Sequence, residues 1–130
     1  MYNECEILIA EDNPYNFTLL TEMINDFSSD YIWAKNGIEA LNLLAIYQNI
    51  SLILMDVNMP EIDGITATRK IREKGITTPI VFITAFGNDL NKKECYAVGG
   101  NDYLSKPFSQ NELNFVLKKY LNNISRKQAF

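Results

Sequence analysis

Compact apolar runs alternate with longer stretches in which apolar residues return at helical spacing. This alternation predicts repeated βα units and a parallel sheet covered by helices on both faces, an α/β architecture. Ile7 to Ala10 is the first buried strand, and Asp12-Asn13-Pro14 then supplies a polar N-cap with proline in the first turn of a helix. That helix carries Phe17, Leu20, Met23, Ile24 and Phe27 on one stripe. Tyr31 to Ala34 reads as a short second strand, Asn36-Gly37 as a turn, and Ala40, Leu41, Leu44 and Tyr47 as the buried face of a second helix. The clearest strand is Leu52-Ile53-Leu54-Met55, which runs apolar straight into Asp56. A loop over 57–64, punctuated by Pro60 and Gly64, leads to a polar helix near 65–74. Pro79 opens a fourth strand over 80–83 that ends at Thr84. A fourth helix over 89–98 should stop at Gly99-Gly100, because glycine permits the left-handed turn that ends helices. Asp102-Tyr103-Leu104 is a fifth strand, and Ser109-Gln110-Asn111-Glu112 has the spacing of a capping box. It begins a last helix with Leu113, Val116, Leu117, Tyr120 and Leu121 inward. One domain is expected over 1–124, with a polar, slightly basic tail at 125–130.

Composition narrows the partners more than the fold. With 130 residues, 47% apolar and 22% charged, the chain has the balance of a globular domain with one sizeable core. A net charge of −4 and no dense basic stripe argue against direct nucleic-acid binding, which needs clustered Lys and Arg, and point to protein partners. Cys5 and Cys95 stand far apart with no histidine near either, so neither metal-ligand spacing nor a secreted disulfide framework is indicated. The expectation is two reduced cysteines in a cytoplasmic domain. The N-terminus carries acid where a signal peptide needs positive charge, and no stretch approaches the length that spans a bilayer, so no membrane contact is expected. Histidine is absent altogether. Any histidine chemistry must therefore come from a partner.

In an open parallel α/β sheet, ligands bind outside the carboxyl ends of the strands. Here the residues that end strands are polar: Glu11-Asp12 after the first, Asp56 after the third, Thr84 after the fourth and Lys106 beyond the fifth. Converging carboxylates repel one another and recruit a counter-ion, and oxygen-only ligands favour magnesium, with manganese as a substitute. Lys106 adds a second positive charge and Thr84 a hydroxyl for a phosphoryl oxygen, which is most of what phosphoryl transfer asks of a protein. Asp56 is then placed to act as the nucleophile. Each residue also has a plain structural reading: Asp12 as a helix N-cap, Glu11 as a solvated acid, Thr84 as a strand cap, Lys106 as a surface lysine and Asp56 as a turn former. Their shared position at strand ends is what those separate readings leave as coincidence.

Together, Ile7-Leu8-Ile9-Ala10-Glu11-Asp12-Asn13, Leu54-Met55-Asp56-Val57-Asn58-Met59-Pro60 with Asp63-Gly64, Ile83-Thr84-Ala85 and Lys106-Pro107-Phe108 resemble the receiver domain of two-component response regulators. The resemblance covers nearly the whole chain. It implies a flavodoxin-like five-stranded parallel sheet of order 2-1-3-4-5, and a partner sensor histidine kinase or histidine phosphotransfer protein whose phosphohistidine donates to Asp56. By the same resemblance Asp12 and Asp56 are direct magnesium ligands, Glu11 acts through water, and the backbone carbonyl of Asn58 is a further ligand. Thr84 and Lys106 become the phosphoryl contacts, and Lys106-Pro107 a cis peptide. Tyr103 falls at the aromatic position that turns inward when Thr84 moves, so the fourth helix, fifth strand and fifth helix become the output surface and the seat of a phosphorylation-dependent homodimer. The plain alternative for Tyr103 is a half-buried strand aromatic. Two departures stand out: Glu11 replaces the commoner Asp, and bulky Phe86 stands two residues beyond Thr84, where it is expected to shield the acyl phosphate from water.

Other function classes fare less well. An aspartate-nucleophile phosphohydrolase needs a second acid two residues after the nucleophile, and Asn58 stands there. A degenerate receiver acting as a phosphorylation-independent binding module would lack a site residue, and none is missing. The chain therefore reads as a signalling phosphoacceptor rather than an enzyme. The segment Glu11-Asp12-Asn13-Pro14-Tyr15-Asn16 is similar to receivers attached to hybrid sensor histidine kinases.

Overall fold

A computed structural model describes residues 7–25, 27, 30–85 and 89–121, leaving aside the side chains of 89–91. Strands β1 (Ile7–Ala10), β2 (Tyr31–Ala34), β3 (Leu52–Asp56), β4 (Ile80–Thr84) and β5 (Asp102–Ser105) form one parallel sheet in the order β2-β1-β3-β4-β5. Between and after them run α1 (Pro14–Ile24), α2 (Gly37–Ile46), α3 (Gly64–Glu73), α4 (Asp89–Ala97) and α5 (Gln110–Tyr120). This is the α/β, flavodoxin-like order expected from the sequence. Among the described residues no helix is long and apolar enough to cross a membrane.

Successive side chains of a strand point to opposite faces, so an unbroken apolar run feeds two cores at once. Ile7 and Ile9 of β1, Leu52 and Leu54 of β3, and Val81 and Ile83 of β4 pack with Leu20 and Ile24 of α1 and Leu113, Val116 and Leu117 of α5. Their neighbours Leu8, Ala10, Ile53, Met55, Ile80 and Phe82 pack on the other face with Ala40 and Leu44 of α2, Ala67 and Ile71 of α3, and Cys95 of α4. That double burial explains why β1, β3 and β4 carry no alternating polar positions, whereas edge strands β2 and β5 are only half-buried.

Helix ends follow the local signals. Asn13 caps α1 by accepting from the Asn16 N–H at 3.0 Å, with Pro14 in the first turn. Ser109 and Glu112 form both bonds of the capping box at the start of α5. Gly99 takes φ 107°, and the Gly100 N–H closes the end of α4 on the Cys95 carbonyl at 2.9 Å. Two expectations need correction. Asn36 is not part of a free turn but the N-cap of α2, its side chain accepting from the Glu39 N–H at 2.8 Å, so Gly37 is already helical. Phe27 lies beyond α1, because the helix gives way to a tighter turn in which the Phe27 N–H bonds the Ile24 carbonyl at 2.7 Å; it still packs on the α1–α5 core.

Candidate functional site

The carboxyl edge of the sheet collects the polar strand ends. Glu11, Asp12 and Asp56 each offer a carboxylate oxygen within 4.8 Å of the others. Glu11 is 4% exposed and Asp56 7%, while Asp12 is exposed. The cap of α1 is Asn13, which leaves the Asp12 carboxylate outside the capping role its position suggested. Glu11 is tied down on every side. One carboxylate oxygen accepts from the Asn13 N–H at 3.1 Å, the other meets Lys106 Nζ at 3.4 Å, and its backbone carbonyl accepts from Trp33 Nε1 at 2.7 Å.

Asp56 extends β3 by one residue past Met55, and the Asn58 N–H donates to its Oδ1 at 3.3 Å. Burial pushes its pKa up from 3.8 to about 7, and the Glu11 charge adds to the rise, against the opposing pull of Lys106 and the Asn58 N–H. A buried carboxyl with an acid beside it resists ionisation until positive charge arrives. Thr84 ends β4 at 1% exposure, paired in register with Ser105 of β5. The Lys106 N–H donates to the Thr84 carbonyl at 2.6 Å, and the peptide to Pro107 is cis, so the segment after β5 lies against the end of β4.

Of the five expected side chains, Asp56 ends β3 and Thr84 ends β4, Glu11 and Asp12 follow β1, Lys106 follows β5, and Glu11 is joined directly to Lys106. Asn58 is exposed on the loop after β3. Tyr103 is half-buried in β5, packs against the α2–α4 core and lies 5.2 Å beneath Lys92 Nζ. Phe86 lies outside the described residues, as do Cys5 and the tail. An apolar cavity of about 260 Å³ adjoins the cluster, with Leu20, Met23, Phe108, Glu11 and Lys106 in its walls. The donor set is oxygen-only, crowded and short of positive charge, and it fits a small hard divalent cation.

Two supports escaped the sequence reading. A Cβ on Gly64 would come within 2.2 Å of the Asp56 carbonyl oxygen, so the start of α3 packs directly behind Asp56 only because residue 64 is glycine. Gly64 reads in the sequence as punctuation of the loop before a helix, and no local feature says which backbone it touches. The indole of Trp33 is the other, reaching Glu11 across 22 positions of sequence.

A family model, response regulator receiver domain, matches residues 7–118. The chain belongs to this receiver-domain family. Its similarity extends to the osmosensing histidine protein kinase SLN1 of Saccharomyces cerevisiae, 39% identical over 88% of the chain. The receiver spans 10% to 13% of the length of sensor kinases it matches. In structure it is similar to the receiver domain of sensor histidine kinase PA1611 from Pseudomonas aeruginosa, which was crystallised with magnesium in its active-site cleft. There the TM-score is 0.80 at 37% identity, covering 92% of this receiver and 98% of that chain. A second neighbour is the co-crystal structure of the Saccharomyces cerevisiae phosphotransfer protein Ypd1 with the receiver domain of Ssk1. Its TM-score is 0.81 at 29% identity, covering 92% and 90% of the two chains.

Proposed function

We propose that this receiver domain accepts a phosphoryl group on Asp56 from the phosphohistidine of a sensor histidine kinase or histidine phosphotransfer protein. The observation that carries the reading is the crowding of the Glu11, Asp12 and Asp56 carboxylates within 4.8 Å at the sheet edge, with Lys106 held on Glu11. Asp12, Asp56 and the Asn58 carbonyl would hold magnesium directly and Glu11 would hold it through water, with manganese able to substitute. Bound there, the cation offsets the carboxylate repulsion and screens the phosphoryl oxygens. The protein's own groups do the rest. A carboxylate oxygen of Asp56 forms the new bond to phosphorus as the phosphorus–nitrogen bond breaks, and the departing imidazole keeps the electron pair. Thr84 and Lys106 bind the phosphoryl oxygens, and Glu11 holds the lysine on station meanwhile.

The same reading makes Thr84 and Tyr103 the switch. New charge at Asp56 draws the Thr84 hydroxyl, and the half-buried Tyr103 ring follows into the vacated space. Tyr96 and Phe115, 50% and 70% exposed on α4 and α5, favour the α4–β5–α5 face as output surface and as the contact of a phosphorylation-dependent homodimer. Support for the partner comes from the neighbour crystallised with a phosphotransfer protein and from the absence of histidine in this chain.

The test is intact mass after incubation with magnesium and a small acyl-phosphate donor, beside Asp56→Asn. A single magnesium-dependent phosphoryl adduct on the wild type alone is expected. Folded protein that binds magnesium but gains no adduct from either the donor or a phosphorylated kinase would instead leave a phosphorylation-independent binding module.

A further inference from the structure

The chain's sole tryptophan, Trp33, carries a hydrogen bond that the sheet itself cannot make. The parallel ladder of β1 and β2 runs out where the Glu11 N–H donates to the Ala34 carbonyl at 3.0 Å. The next ladder bond would reach the Glu11 carbonyl from the backbone two residues beyond Ala34. By then the chain has left the sheet, and Asn36 is capping α2. The Trp33 indole N–H supplies the missing donor, at 2.7 Å.

The indole plane is itself held. Phe17 of α1 stacks on it at 4.3 Å between centroids and 10° between planes, and Lys35 Nζ sits 5.2 Å from the ring centroid. The bonded carbonyl belongs to the peptide joining Glu11 to Asp12. Two of the three clustered carboxylates therefore hang from one peptide plane whose tilt the indole sets. Glu11 has further restraints in Asn13 and Lys106, but exposed Asp12 depends chiefly on where that plane puts it.

We propose that Trp33 is a positioning residue for the cation site. It orients the Glu11–Asp12 peptide through its N–H, and its indole senses cation loading through the same bond. The inference rests on the reading of this cluster as a magnesium site. Trp33→Phe keeps a ring on Phe17 and removes the donor together with the pyrrole part of the indole. Calorimetric titration of the full chain with magnesium should show the variant binding about tenfold more weakly than wild type, the scale on which residues supporting metal ligands act. A core truncation at the far end of α3, Ile71→Val, should leave the affinity unchanged; an equal loss there would mean that affinity merely follows packing and would overturn the proposal.

A second readout needs no variant. The indole N–H gives a single nitrogen–proton resonance, and it should shift with magnesium at the calorimetric midpoint. A resonance that stays fixed at saturation overturns the proposal even if Trp33→Phe fails to fold. Wild type that takes up no magnesium removes the metal reading and this inference together. Wild type and Trp33→Phe that bind alike remove this inference alone.

Discussion

Asp56 holds a charge where the fold is least able to solvate it. Its pKa stands near 7 against 3.8 in an ordinary environment, so between those values the metal-free native state binds a proton that the unfolded chain has already released. Stability falls with rising pH in that window. Metal-free protein should therefore lose stability from about pH 4 to about pH 7 relative to Asp56→Asn, by an amount on the order of 4 kcal/mol. Urea midpoints of the two proteins at matched pH measure it, and parallel curves would refute the burial argument. A different cost sits in α3, where the Thr68 hydroxyl is fully buried without a hydrogen-bond partner among the described residues. Thr68→Val keeps the shape and removes the orphan, and should raise stability by about 1 kcal/mol in the same assay; a loss instead would reveal a bonded hydroxyl. Neither cost was legible in the sequence. The apolar run into Asp56 marked a special carboxylate, but its pKa depends first on burial in the folded sheet edge and then on Glu11, 45 positions earlier, and Thr68 looks like any threonine on a polar helix.

Helices and strands were the legible level, because their signals are local. The apolar runs, the glycine stop after α4 and the capping box of α5 all stand where side-chain spacing and cap chemistry put them. Removing the cap by Ser109→Ala should cost about 1 kcal/mol in thermal or urea unfolding, without moving the site. The misplaced boundaries fall where a second bond decides: the Asn36 side chain starts α2, and the short Phe27 bond ends α1. The join of β3 to α3 is decided further away still. Gly64→Ala drives a methyl group into the Asp56 carbonyl, so it should cost about 2 kcal/mol of stability and also slow adduct formation in the mass assay. Full stability with full phosphorylation in that variant would show that the loop can yield.

Across the molecule, stability and function are linked through the carboxylates at the sheet edge. Any cation that binds only the folded cluster stabilises it by mass action, so magnesium at ten times its dissociation constant should add about 1.4 kcal/mol to unfolding, and much less in Asp56→Asn. Calorimetric scans with and without chelator read the difference, and equal shifts in both proteins would place the cation elsewhere. A parallel sheet covered on both faces followed from the alternation of apolar runs with amphipathic helices, whereas the strand order and the residues to examine came from the resemblance of the motifs to receiver domains. Residue identity, periodicity and caps were in the chain because they act over a turn or a strand. The raised pKa of Asp56, the release of Asp12 from capping, the glycine behind β3 and the indole on Glu11 were not. The first and last join segments far apart in sequence and exist only once the parallel sheet has brought their ends to one edge; the other two turn on local geometry, the Asn13 side chain taking the cap and the loop after Asp56 folding back on Gly64, which residue type alone does not specify.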